Sequence, residues 1–313
     1  MLSLSELRVF LIAAETENFS ETARRIGISQ PAVSMQIRAL ETRFGLDLFE
    51  RSGRSVSLNE AGQALVPLAR DLTHRAVSLE EAMASLEGEI VGHLKLVCTT
   101  TAGKYVLPRL LALFQGQHPR VEMTVMVVPR DLALRRLTED DVNVGFASIV
   151  EAVRGLEYRP FMTDHIALIA PCDHRWVTRG GPITPGELRE ERFITREEIS
   201  GTAVAVNEAL AWHDLSPADL DKSMTLGNSE AIRMAVQEGL GLGFVSTMVA
   251  AESVRAGTLA VVPIEGMVIT KTLYMIRSTE VPSTAAGSAF WDFAFSPESA
   301  DVLASPSLID LSA

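Results

Sequence analysis

Leu65, Leu68, Leu72, Ala76, Leu79, Met83 and Leu86 recur at intervals of 3, 4, 4, 3, 4 and 3 residues. This heptad-like seam suits a partner helix. Asn59 can cap a helix starting near Glu60, and roughly 28 residues of helix would reach about 42 Å at ~1.5 Å per residue. Such an element divides the chain into a small N-terminal part and a large C-terminal part. Packing of the stripe on its own domain is the alternative, and the sustained spacing favours a partner. Pro67 lies in the second turn and predicts a kink; Gly88 and Gly92 are expected to end the helix and act as a hinge.

At 313 residues, with 47% hydrophobic and 22% charged residues, the chain is expected to form two or three globular units rather than a disordered one. No stretch approaches 18 uninterrupted apolar residues. The opening segment carries Glu6 and Arg8 within its apolar run, so neither a signal peptide nor a membrane span is expected there. Cys98 and Cys172 lie far apart and make no disulfide framework or metal motif. The expected compartment is the cytoplasm.

In the small part, Ser3 and Glu6 read as a capping box before Leu4, Leu7, Phe10, Leu11 and Ala14, predicting a helix over 4–15. Asn18-Phe19 breaks it, Ser20 is placed to cap a short helix through about Ile26, and Gly27 fits the left-handed residue that ends one. Ser29-Gln30-Pro31 opens a third helix running to about Phe44, with Val33, Ile37 and Leu40 inward. Helix, glycine turn and helix are the parts of a helix-turn-helix. Gln30, Ser34, Gln36 and Arg38 then project outward in whole or part, with side chains that can bond base edges or phosphates; an ordinary solvated face is the competing interpretation. Short segments flanking Ser52-Gly53 read as a hairpin wing with Arg51 and Arg54 at its tip.

Net charge is −12, unlike a typical nucleic-acid binder. Residues 1–58 are neutral, however, with seven Arg against seven acidic residues, so the whole excess lies beyond them. A neutral unit can still present arginines on one face.

The run FSETARRIGISQPAVSMQIRALETRFGLDLFERSGRSVSLNEAGQAL resembles the N-terminal domain of the LysR-type transcriptional regulators, and the likeness is continuous over residues 4–66. It implies that Gln30, Pro31 and Ser34 meet the groove of double-stranded DNA and that Arg51 acts in the wing; Ser29, Gln36, Arg38 and Arg54 stand beside them as further candidate DNA contacts. Met35 stands where many members carry Arg or Lys. The resemblance also implies a homodimer through the linker helix and a dimer of dimers, a homotetramer, with RNA polymerase a further candidate partner.

Beyond residue 92 the periodicity changes. Apolar runs at 94–98, 121–128 and 142–146 alternate with helical segments at 103–117 and 131–139, predicting a parallel sheet covered by helices. The alternation returns with runs at 165–170, 192–195, 224–226 and 243–245 around helices near 202–213 and 229–239. Two α/β lobes predict a ligand cleft between them. This part resembles the LysR-family effector domain, built like a periplasmic binding protein, with crossovers near 160–163 and 266–271. The expected fold is thus α plus α/β: a winged helix-turn-helix at 1–58, a linker helix at 59–89, one lobe from 90–161 plus 269–313, and a second lobe at 162–268. The tail after Pro297 has no assigned place.

Open α/β sheets bind ligands at the carboxyl ends of strands, beside helix starts that favour anions. Three junctions qualify: Thr99-Thr100-Thr101, Ser200-Gly201-Thr202, and Gly227-Asn228-Ser229. Helix capping alone would explain these residue types, while the resemblance implies an effector pocket here. Arg130 and Arg196 are candidate partners for a carboxylate or phosphate of a small anionic metabolite. CTTTAGKYVLPRLLALF, REEISGT and LGNSEAIRMAVQEGLGLGFVS resemble the branch that regulates RuBisCO and carbon-fixation operons, though Ala203 stands where relatives often carry Arg.

No enzyme is expected. G-x-S-x-G is absent, the six histidines show no H-x-x-x-H spacing, and Gly239-Leu240-Gly241-Leu242-Gly243 lacks the spacing of a dinucleotide fingerprint. No cofactor or metal is expected. A solute-binding or sensor protein without a transcriptional role would explain the lobes alone, but not the winged helix. A redox sensor built on the two cysteines is disfavoured by their expected apolar surroundings.

Overall fold

A computed structural model describes residues 2–52, 55–85, 89–138 and 142–303. The N-terminal unit comprises α1 (Leu4–Thr16), α2 (Phe19–Ile26), α3 (Gln30–Phe44) and a hairpin of β1 (Phe49–Ser52) and β2 (Ser55–Leu58). Two caps differ from expectation. Ser3 precedes α1 without a side-chain bond, and α2 is capped by Asn18 rather than Ser20, with Asn18 Oδ1 accepting the amides of Ser20 at 3.0 Å and Glu21 at 3.1 Å. Asn18 already has the extended backbone a cap needs, so the helix starts two residues early. Gly27 and Gly45, at φ 78° and 66°, end α2 and α3 in the left-handed region. Leu7, Phe10, Ala13, Val33, Ile37, Leu40 and Leu48 form the core. Phe49 closes it, its ring meeting Phe10 and Phe19 edge-on at 5.8 and 5.3 Å.

α4 (Glu60–Ser85) continues as one helix through Pro67. Asn59 caps it, accepting the Gly62 amide at 2.9 Å. Leu65 packs on the N-terminal core, whereas Leu68, Leu72, Leu79 and Met83 are 63, 44, 63 and 59% exposed, so these four seam positions are uncovered within the chain; Leu86 and Gly88 lie outside the described residues. The expected hinge at Gly92 is instead a packed joint. The Glu81 carboxyl fills the space a Gly92 side chain would need, and its Oε1 accepts the His93 amide at 3.2 Å.

The remainder is β3 (Gly92–Cys98), α5 (Leu107–Gln117), β4 (Val121–Val127), α6 (Arg130–Thr138), β5 (Val144–Ala147), β6 (Leu156–Pro171), α7 (Arg175–Arg179), β7 (Arg192–Thr195), α8 (Gly201–Ala211), β8 (Asp221–Thr225), α9 (Ser229–Gln237), β9 (Leu242–Ser246), α10 (Thr247–Arg255), β10 (Leu259–Val262), β11 (Ile269–Ser278), α11 (Ala285–Ala294) and α12 (Pro297–Leu303). A π-helical turn, Ala102–Val106, leads into α5. Strand order is β4-β3-β5-β11-β6-β9-β7-β8, with β10 on β6.

The sheet is mixed rather than parallel. β3 runs parallel to β4 and β5, and β7 parallel to β8 and β9. Between these trios β6 and β11 pair antiparallel with each other, and with β9 and β5 respectively. These two long strands are the crossovers. A bulge opposite Leu273 and Tyr274 leaves Phe161 unpaired beside Pro160, which has no amide to give the ladder. Each lobe has helices and apolar core on both faces of its strands: Leu94, Phe114, Phe146 and Phe290 on one face and Val97, Leu134 and Ile276 on the other in the first, Trp176, Phe193 and Phe244 against Ile194, Ile232 and Val245 in the second.

Candidate DNA-binding face and interlobe cavity

In α3, Ser29 caps the helix through the Ala32 amide at 3.3 Å and Pro31 sits in the first turn. Val33, Ile37 and Leu40 are buried, which turns Gln30, Pro31, Ser34 and Arg38 to the opposite side. Gln30 Nε2 donates to Ser34 Oγ at 2.9 Å, forming a polar pair on that face. Gln36 lies to one side of that face: about 100° per residue places it some 200° around from Ser34, and its Oε1 accepts Ser5 Oγ of α1 at 3.5 Å. Met35 takes its place outward, 68% exposed. The Glu41 carboxylate accepts the Leu48 amide at 3.0 Å, and Asn59 Nδ2 donates to the Asp47 carbonyl at 2.7 Å. Those bonds fix the hairpin beside α3. Arg51 lies in β1 opposite Val56; Arg54 lies outside the described residues.

The second site is a cavity of about 250 Å³ where the two lobes meet. Thr99, Thr100, Thr101, Arg130, Arg196, Ser200, Gly201 and Thr202 all line it. Asn228 does not. It caps α9, accepting the amides of Glu230 at 2.8 Å and Ala231 at 3.4 Å, and Gly227 lines the wall instead. Ser200 caps α8 through the Ala203 amide at 3.0 Å. A side chain at Gly201 would collide with Ser148 of the other lobe, so this glycine permits the close approach of the lobes.

Each cation at the cavity has a carboxylate partner. Arg130 Nε lies 2.9 Å from Glu151, and its Nη1 donates across the lobes to the Ile199 carbonyl at 3.1 Å. Arg196 holds Glu197 in a two-pronged bond at 2.7 and 2.8 Å and donates to Ser229 Oγ at 2.8 Å. The third cation is Lys271, paired with Asp164 at 3.3 Å. Sequence reasoning missed it, although a signal was present: Ile269, Lys271 and Leu273 share one face of a strand by alternation, and a lysine in an apolar row is unusual. Ser148 was missed too. Burial pushes the Lys271 ammonium below its usual range while Asp164 opposes that shift.

Beyond the cavity the lobes meet again at Glu230, which accepts Tyr105 Oη and lies 2.9 Å from Lys104 Nζ. Burial and the neighbouring carboxylate push the Tyr105 hydroxyl up to about 12, so it stays a donor. Burial alone raises the Cys98 thiol to about 12, and Cys172 Sγ meets the Gly257 carbonyl at 3.1 Å. Among the described residues there is no cluster of metal-ligating side chains and no helix long and apolar enough to cross a membrane.

Residues 4–63 match the bacterial regulatory helix-turn-helix family named for LysR, and residues 87–296 match the LysR substrate binding domain. A RuBisCO operon transcriptional regulator of Allochromatium vinosum is 31% identical over 94% of this chain and 96% of its own. Full-length OxyR of Pseudomonas aeruginosa shares the fold with a TM-score of 0.72 at 21% identity, covering 94% of this chain and 95% of that one. The regulatory domain of Synechocystis CcmR, solved in complex with 2-PG, gives a TM-score of 0.58 at 27% identity over 65% of this chain and 95% of that domain. The chain belongs to the LysR family of helix-turn-helix transcriptional regulators.

Proposed function

We propose that this regulator binds an imperfect palindromic promoter site as an oligomer and responds to a small anionic metabolite held between its lobes. One observation carries the effector half: hydroxyls and helix starts from both lobes, with a lysine among them, converge on a single cavity. Helix N-termini and an ammonium favour an anion. Likeness to the CcmR domain, whose complex holds 2-PG, supports a phosphorylated or carboxylated ligand. Arg51 and Arg54 contact the DNA together with Gln30, Pro31, Ser34 and Arg38 of α3.

The working units are the winged helix-turn-helix (1–58), the linker (59–89), a lobe of 90–161 plus 269–313, and a lobe of 162–268. The exposed seam of α4 supports a two-fold dimer, which would set two α3 helices on the two halves of a palindrome; dimers pair into a tetramer. The protein works in the cytoplasm on double-stranded DNA, with RNA polymerase a further partner. Ligand binding favours one angle between the lobes and so one spacing of the DNA-binding pairs, since equal affinity for both would shift nothing. Footprinting the promoter region beside its own gene at moderate salt tests the DNA half, and a protected imperfect palindrome is expected. An unprotected region would sink it. A thermal-shift series of the full-length protein against anionic metabolites tests the other half: about 2.7 kcal/mol of stabilisation is expected at 100 times Kd, and no shift with any of them would overturn it.

A further inference from the structure

Lys271 and Asp164 face each other across the ladder of the two crossover strands, and Lys271 reaches Thr202 in the first turn of α8. Their side chains are only 11% and 2% exposed. Lys271 Nζ donates to Thr202 Oγ1 at 2.9 Å and lies 3.3 Å from Asp164 Oδ2. An ammonium has three protons; one goes to Thr202 Oγ1, and Asp164 Oδ2 is in ion-pair reach with no hydrogen-bond partner of its own, so a proton remains for the cavity that Lys271 and Thr202 both line. Asp164 is not among the cavity's lining residues. Its other oxygen accepts Ser246 Oγ at 2.6 Å, and that hydroxyl caps α10 through the Met248 amide at 3.2 Å. Of the three cations that line the cavity, Arg130 and Arg196 lie outside the crossover strands and are held by Glu151 and Glu197, and Lys271 is the one carried by a crossover strand.

We propose that Lys271 is the residue that takes the negative group of the ligand, and that Asp164 is its internal counter-ion, positioning it and moderating its affinity when the cavity is empty. This rests on the anionic-effector reading above. A phosphate or carboxylate beside Thr202 is bonded by Lys271 Nζ, which ties both crossover strands to α8. The lobe angle then depends on whether Lys271 answers to Asp164 alone or to Asp164 and a ligand. Two carboxylate-like charges around one ammonium repel, so the empty site is held below its greatest possible affinity. Charge, rather than shape alone, sets what the cavity accepts.

Calorimetric titration of the full-length protein with phosphoglycolate, inorganic phosphate and glycolate separates the phosphate arm from the carboxylate arm. Lys271→Met should lose about tenfold or more of the affinity for whichever anion binds. Lys271→Arg should keep most of it. If Lys271→Met does not fold, the pair Lys271→Met with Asp164→Asn, which leaves no buried lone charge, should fold and show the same loss. Asp164→Asn should bind the anion several-fold more tightly once the pH is low enough to keep the Lys271 ammonium protonated, with the gain growing as the pH falls; a purely structural role would weaken binding at every pH. Wild-type affinity in the Lys271→Met chain or the neutral double variant, or weaker binding by folded Asp164→Asn, overturns the proposal while leaving the anionic effector intact. A wild-type chain that binds none of the anions overturns both.

Discussion

The α3 face and the interlobe cavity present polar groups in opposite ways. On α3, Val33, Ile37 and Leu40 are buried, and the outward groups follow from helical geometry within one element. At the cavity, β11, the start of α8 and the loops after β3 and β7 contribute side chains that span the chain from Thr99 to Lys271. The first is a display on a small rigid core, with Gln30 bonded to Ser34 on the same face. The second is a neutralised enclosure in which Arg130, Arg196 and Lys271 each have a carboxylate. A surface meant for DNA needs reach and shape, with affinity supplied by phosphates in bulk. A sensing cavity needs its charges held until a ligand competes for them.

The largest expected effect separates the two regions through α4. Leu79→Glu places a charge in the exposed seam and should lower affinity for a palindromic site by about a hundredfold, as two-point binding is lost, while anion affinity stays near wild type. Gel-shift and calorimetry on the same preparation check this; a dimer still seen by sedimentation would contradict the seam. Gly201→Ala acts on the other region. Its Cβ meets Ser148, and the overpacking should cost about 1–3 kcal/mol of the closed arrangement, abolishing the DNA response to anion while leaving basal DNA affinity; an unchanged response would show that the lobes need not approach there.

Arg38→Ala should weaken DNA binding about tenfold and reduce the salt slope by about one, as expected for a phosphate contact. An unchanged slope would move Arg38 off the backbone, and the same test applies to Arg51→Ala. The smallest effect is Asn59→Ala, which removes the α4 cap and the bond to Asp47; thermal unfolding should report about 1 kcal/mol. A loss well below that would mean water replaces the cap.

What could be read from the sequence follows the same division. Ser29 and Pro31 open α3 by local rules, and the seam from Leu65 to Met83 needs only the helical repeat. Local rules also misled where either of two neighbouring residues could fill the same role. Asn18 rather than Ser20 caps α2, and Asn228 caps α9 while Gly227 lines the cavity. Gln36 faces α1 because the inward stripe is wider than Val33, Ile37 and Leu40 alone suggested. The mixed sheet, the packed joint of Gly92 with Glu81, and the Lys271–Asp164 pair depend on strand order and on partners distant in the chain. Those could not be deduced from neighbours in sequence, although a lysine between Ile269 and Leu273 was a visible anomaly.

Coupling between the cavity and the DNA face is what joins these two regions into one regulator. Linkage requires each ligand to change the other's affinity by the same factor. The affinity of the full-length protein for the anion it takes up, measured with and without its promoter fragment, therefore reads the coupling itself. A coupling of about 1–3 kcal/mol, a change of roughly 5–150-fold, is expected. Equal affinities in the presence and absence of bound DNA would contradict it.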